Sequence, residues 1–200
     1  MGVIASIIST FIALFAAKAF TRYRVKYSGL SYGAILLPFI IPEIIIAVAF
    51  IVIWTSMGLK LGLVPITISH ILYCTPFCLL ILISRMDGFD KSLEEASMDL
   101  GENIFGTFWR VTFPLLLPGI IASLLLSFVI SFDEFILAFF LSSSDQTLPI
   151  YMWSQLRFPK KLPHVLALGA IIIVATSFIV MLSYWFRNLG QSNSNRGSHI

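Results

Sequence analysis

Of the 200 residues, 58% are hydrophobic and only 12% are charged, with a net charge of +3 and a mean hydropathy of +0.94. Soluble domains carry about 25% charged residues, so a water-soluble fold of this size cannot hide so much apolar surface, and much of it must face lipid. The thirteen basic residues form no aromatic-interleaved patch, which excludes a nucleic-acid partner, and no P-loop, nucleophile elbow or HExxH spacing supports ATP hydrolysis or hydrolytic chemistry by this chain.

The first residues have no basic n-region and no small-residue cleavage site, so no removable signal peptide is expected. Met1-Gly2 with Ser6 fits the myristoylation pattern, but so short a pattern arises by chance in an apolar run. A membrane helix needs about 20 mostly apolar residues. Five runs meet that need: Val3–Phe20, Gly33–Thr55, Ile66–Ser84, Leu115–Leu141 and Val165–Phe186. The fold class is therefore all-α membrane protein, with one domain over residues 1–190 and a polar tail at 191–200. The fourth run is overlong and carries Asp133 and Glu134, so its helix should end, break or tilt there.

Orientation follows from Lys and Arg. With the polar stretch Arg85–Thr112 placed inside, Lys18, Arg22, Arg24, Lys26, Arg85, Lys91, Arg110, Arg187 and Arg196 lie inside, against Lys60, Arg157, Lys160 and Lys161 outside. Nine against four predicts the N-terminus outside and the C-terminus inside, as five crossings require. The outer stretch Ser142–Pro163 contains Pro149, Pro159 and Pro163 and cannot be one smooth helix. Its Arg157, Lys160 and Lys161 suit either an acidic partner or simple anchoring at the outer interface.

The inner loop, about 85–114, holds six of the ten acids. Ser92-Leu93-Glu94-Glu95 fits a capping box, in which the Ser92 hydroxyl and the Glu95 carboxylate exchange bonds with each other's backbone N–H. Gly101 is placed to stop the helix in the left-handed conformation. The spacing predicts a short helix over Leu93–Leu100, a second piece over Ile104–Val111, and Pro114 in the first turn of the next membrane helix.

These residues resemble a known loop. Glu95-Ala96-Ser97, three residues, Gly101, nine residues, then Val111-Thr112-Phe113-Pro114 is similar to the "EAA" loop of permease subunits of bacterial binding-protein-dependent ABC importers, with Ser97, Val111 and Phe113 as mild departures. Pro42-Glu43-Ile44, Asp90 to Glu95, Ser131-Phe132-Asp133-Glu134-Phe135, Thr147-Leu148-Pro149 and Tyr151 through Arg157-Phe158 resemble the branch that imports spermidine and putrescine. The resemblance implies a MetI-like permease core in the bacterial inner membrane, with the loop as a coupling helix seated in a cleft of a separate ATP-binding subunit dimer. Glu95, Ala96, Ser97, Gly101 and Pro114 would then serve the coupling contact. It further implies a second permease subunit, an extracytoplasmic solute-binding protein, and no resident cofactor, ATP being bound by the partner. Members of this branch have six membrane helices, and against that pattern the chain begins about where the second would.

A charge at the bilayer centre costs about 2.5–3.5 kcal/mol on insertion scales. Glu43, Asp133 and Glu134 fall in or beside apolar runs, and as pathway residues they would attract a cationic solute such as a polyamine. The same positions also suit helix ends, where an acid does structural work. Asp133 and Glu134 point about 100° apart on a helix, so one can line a path while the other braces a helix. His70, Cys74 and Cys78 recur at metal-ligand spacing, but Pro76 interrupts that turn and no fourth ligand is evident, so no metal is expected and His70 reads as a hydrogen-bonded packing residue. Permeases for phosphonate, sulfate or ferric iron, and a passive channel or secondary carrier, remain as rival readings.

Overall fold

The computed structural model describes residues 1–23 and 28–188. Arg24, Lys26 and the tail from Gln191, with Arg196, lie outside the described residues. In chain order the helices are α1 (Gly2–Arg22), α2 (Ser28–Ile40), α3 (Glu43–Ser56), α4 (Leu63–Asp87), α5 (Ser92–Asp99), α6 (Ile104–Thr107), α7 (Phe113–Asp133), α8 (Ile136–Leu141), α9 (Leu148–Gln155) and α10 (Leu162–Asn188). The all-α fold holds, and no strand occurs among the described residues.

Lipid supplies no hydrophobic drive between helices, so close packing of small residues must hold the bundle. The buried face of α1 is Ala5, Ser6, Ser9, Thr10, Ala13, Leu14 and Ala17. Its Ala13, Leu14 and Ala17 pack with Cys78, Leu79, Leu82 and Met86 of α4 and Leu116 and Ile120 of α7. Gly119 lets α7 approach α4, because a Cβ there would stand 3.0 Å from Arg85 Cγ. The two cysteines serve the same packing: Cys74 Sγ meets the Ser127 carbonyl at 3.6 Å, and Cys78 Sγ lies 3.7 Å from Ser9 Oγ. Pro76 does not interrupt the helix as its chemistry suggested. α4 runs unbroken from Leu63 to Asp87 with Pro76 buried inside it; tertiary packing on both sides outweighs the one backbone bond that proline removes.

Among the described residues, four helical stretches are long and apolar enough to cross a membrane: Gly2–Arg22, Leu63–Asp87, Ile104–Asp133 and Pro159–Asn188. The remaining run, Gly33–Thr55, is not one straight helix. It is a pair bent by 105°, Gly29–Ile40 and Glu43–Ser56, because Pro42 has no N–H and turns Ile41 out of the helical region. The pair still makes one net crossing. On one side Arg22 Nη2 donates to the Met86 carbonyl at 3.2 Å, at the inner end of α4. On the other, Gly62 N donates to the Leu141 carbonyl at 2.9 Å, past the far end of α7. The chain between passes from one end of α4 to the other, so the pair counts as one bent span and the candidate spans among the described residues number up to five.

The inner loop differs from expectation in its chemistry more than in its place. α5 covers Ser92–Asp99, but the capping box does not form. Ser92 is already inside the helix, so its hydroxyl is past the capping position. Asp90 Oδ1 instead accepts from Ser92 N at 2.9 Å, and Glu95 turns to Lys91 at 3.3 Å. Gly101 stops the helix at φ +92°, where other residues are strained. The second piece is not separate: α6, capped by Asn103 Oδ1 on Gly106 N at 2.7 Å, continues through a π turn at Phe108–Thr112 into α7. The wider turn makes room for the Pro114 ring, which clashes with the preceding turn of a regular helix. The long fourth run breaks at its acids, as expected, into α7 and α8.

The single crossing of α2–α3 has a direct check. With Cys74 and Cys78 replaced by alanine, a cysteine at Lys60 is expected to react with an impermeant maleimide on intact cells, and one at Lys91 only in inverted vesicles. Labelling of both from the same side would contradict it.

Candidate functional site

Two groups of residues carry chemistry. On the inner face, α5 buries only Glu94. Glu95 and Ala96 are exposed, and Leu100, with the apolar Leu93 and Met98 nearby, is 88% exposed. Ile104, Phe105 and Trp109 extend the exposed apolar surface, Phe105 at 72%. Ser97 points the other way, its hydroxyl 3.2 Å from that of Thr107. Gly101 forms the exposed turn after α5, and Pro114 sits in the first turn of α7. Arg110 and Glu102 form an ion pair at the rim. The Ser92 backbone N–H holds the Asp90 carboxyl below the usual carboxylate range, so this cap persists at neutral pH and is lost only as pH falls through that lowered value.

The second group lies at the α7–α8 break. Glu134 is buried and caps α8: Oε1 accepts from Leu137 N at 2.7 Å and Oε2 from Ala138 N at 3.0 Å. Its Oε2 also lies 3.0 Å from His70 Nε2, while His70 Nδ1 is 2.8 Å from Ser131 Oγ. Glu43, half-buried at the start of α3, adjoins Glu134, and Tyr73 is near both carboxylates. Among the described residues Glu43 forms no ion pair. Asp133 is exposed on the other side, in a cleft of about 410 Å³ shared with Met152 and Trp153 of α9 and Gly169 and Ile172 of α10. The structure thus brings Glu43 and Glu134 together and sets Asp133 apart. Glu134 spends its oxygens on α8 and His70, whereas neither Glu43 nor Asp133 forms an ion pair among the described residues. No cluster of three or more His, Cys, Asp or Glu side chains suited to a metal occurs among the described residues.

Sequence reasoning missed the partnership of His70 with Glu134, and that of Glu94 with Arg22 and Thr112. A lone histidine in an apolar span was the one available signal for the first. For the second there was no signal: the capping pattern and the loop resemblance drew attention to Glu95, and nothing marked Glu94 as the glutamate on the buried face of α5.

Residues 9–191 match the family described as binding-protein-dependent transport system inner membrane component. The chain belongs to this family. It is 30% identical over 184 residues to the spermidine/putrescine transport system permease protein PotC of Escherichia coli strain K12, a match spanning 92% of this chain and 69% of that protein. The corresponding Haemophilus influenzae PotC is 31% identical over 180 residues, 90% of this chain and 70% of the relative. The putrescine transport system permease protein PotI of E. coli K12 is 28% identical over 188 residues, 90% and 66% respectively. The chain is therefore a multi-pass transport permease of the bacterial inner membrane, similar to the polyamine branch of ABC permeases.

The contrast between the adjacent acids is measurable as stability. Glu134→Ala leaves the Leu137 and Ala138 N–H groups buried without an acceptor, and is expected to cost about 2–5 kcal/mol, at about 1–3 kcal/mol for each buried donor left unpaired. Asp133→Ala, at an exposed position, is expected to change stability by no more than about 0.5 kcal/mol. Thermal unfolding of the detergent-purified variants reads the difference.

Proposed function

We propose that the chain is one of two permease subunits of an ATP-driven importer, and that its solute is a small organic cation of the polyamine class. The exposed α5 carries the reading. A short helix, its start held by Asp90 and its end by a glycine stop, presents Leu93, Glu95, Ala96 and Leu100 to the cytoplasm while a buried carboxylate holds its other face to the bundle. Such a helix suits insertion into a partner's groove, and the partner is a dimeric ATP-binding subunit that supplies both nucleotide and hydrolysis. Acids at its exposed end make a negatively charged lipid surface a poor alternative.

Glu43 supports the cationic solute. It is an acid beside a second acid, Glu134, with no ion pair among the described residues, on a helix whose Ile44, Ile45, Val48 and Val52 are left exposed. In this reading the second permease covers that face of α3 and the path runs between the two subunits past Glu43 and Tyr73. An extracytoplasmic binding protein delivers the solute at the outer end, where Arg157, Lys160 and Lys161 lie. The likeness to permeases named for spermidine and putrescine supports the same class.

Leu100→Asp is expected to cut co-purification of the ATP-binding subunit about tenfold or more, the scale of losing a contact residue worth over 1.4 kcal/mol. Glu43→Gln should instead leave that association intact and lower ATP-dependent uptake of labelled putrescine or spermidine about tenfold in proteoliposomes holding the whole complex. Asp133→Asn, assayed alongside, reports whether the separated acid also belongs to the path. Uptake of phosphonate, sulfate or ferric iron in place of polyamine would overturn the solute assignment. Uptake without ATP would overturn the importer.

A further inference from the structure

Docking by itself does not explain how motion of α5 reaches the membrane helices. The loops on either side of α5 are weak levers. Gly88 and Phe89 precede it, Gly101 follows it, and the later connection to α7 passes through a π turn, a segment whose backbone bonding is looser than a regular helix. A pull transmitted along the backbone alone would be absorbed at these points.

One side chain bypasses them. Glu94 is 7% exposed, and its two oxygens take different partners. Oε2 meets Arg22 Nε, in the last residue of α1, at 2.6 Å. Oε1 accepts from the fully buried Thr112 hydroxyl, in the π turn at the foot of α7, at 2.5 Å. Arg22 also donates to the Met86 carbonyl near the end of α4 and lies over the Phe89 ring at 4.8 Å. A single carboxylate therefore ties α5 to the inner ends of α1, α4 and α7, the three helices that form the core. Charge-assisted bonds of this kind are short and about twice as strong as neutral ones, and their burial excludes the water that would let them slip.

We propose that Glu94 is the positioning residue that makes α5 and the inner ends of the three core helices move as one body, so that displacement of the docked helix is delivered to the transmembrane core. Glu94 faces away from the docking surface. Its role is therefore separable from docking: Glu95, Ala96 and Leu100 hold the partner, and Glu94 passes the motion on. The inference rests on the importer reading above, and deepens it.

The test is the ratio of solute imported to ATP hydrolysed by the complete complex in proteoliposomes, a ratio that does not depend on how much complex assembles. Glu94→Gln keeps the shape and removes the charge. It is expected to lower the ratio about tenfold while co-purification of the ATP-binding subunit stays within about twofold of wild type. Arg22→Gln should give a similar loss, and the Arg22→Gln/Glu94→Gln double variant no more than either alone, since both break one linkage. Thr112→Val, a near-isosteric change, provides a variant that retains the ion pair and should lower the ratio about threefold if Glu94→Gln fails to assemble. An unchanged ratio, or losses that multiply in the double variant, overturns the linkage. Absence of ATP-dependent uptake in the wild-type complex would instead overturn the importer reading, so the two failures are distinguishable.

Discussion

Lipid offers no hydrogen bonds, and the polar side chains within this bundle are placed under that constraint. Glu134 is the sharpest instance. An isolated carboxylate there would be costly, yet it stands at a helix break whose two freed N–H groups it accepts, with His70 against its remaining face. The break and the acid depend on each other: without the carboxylate the start of α8 has unpaired donors, and without the break the carboxylate loses its two backbone donors and keeps only His70. Ser183 follows the same rule on a smaller scale, donating to the Ala122 carbonyl at 2.8 Å and fixing the otherwise lipid-facing α10 to α7.

That constraint shapes the two sites in opposite ways. Glu134 is satisfied from within the chain, while Glu43 beside it forms no ion pair among the described residues. Glu94 is likewise satisfied from within, which leaves the rest of α5 free to meet a protein. In each pair of neighbouring acids, one is buried and bonded within the bundle and the other is more exposed. The close packing of α1, α4 and α7 through Ala13, Ala17, Cys78 and Gly119 allows this, because it brings Arg22, Met86 and Thr112 to the same end of the bundle.

Much of the frame was legible in the chain. Long apolar runs can be read because the bilayer demands a length and a composition, both of which are local properties. Gly101 was legible because a positive φ has a strong residue preference, whereas the bend at Pro42 was missed because hydropathy reads Gly33–Thr55 as one continuous run. The capping box was misread because Asp90 and Ser92 both offer a plausible acceptor to the same few N–H groups, and only the final helix start decides between them. Pro76 was misread for a related reason: the local cost of a proline is known, but the packing that outweighs it comes from α1 and α7.

The inner loop shows where the two kinds of information divide. The sequence by itself determined that the loop is polar and helical, stops at Gly101 and returns to the membrane near Pro114, since capping, glycine conformation and hydropathy act over a few residues. Only the tertiary structure decided that Glu94 faces inward to Arg22 and Thr112 while Leu100 faces out. That choice rests on contacts between residues 72 and 18 positions apart, which no local pattern around Glu94 reveals. The membrane acids divide in the same way. Their cost in lipid is a property of the residue, but their partners are a property of the packed bundle.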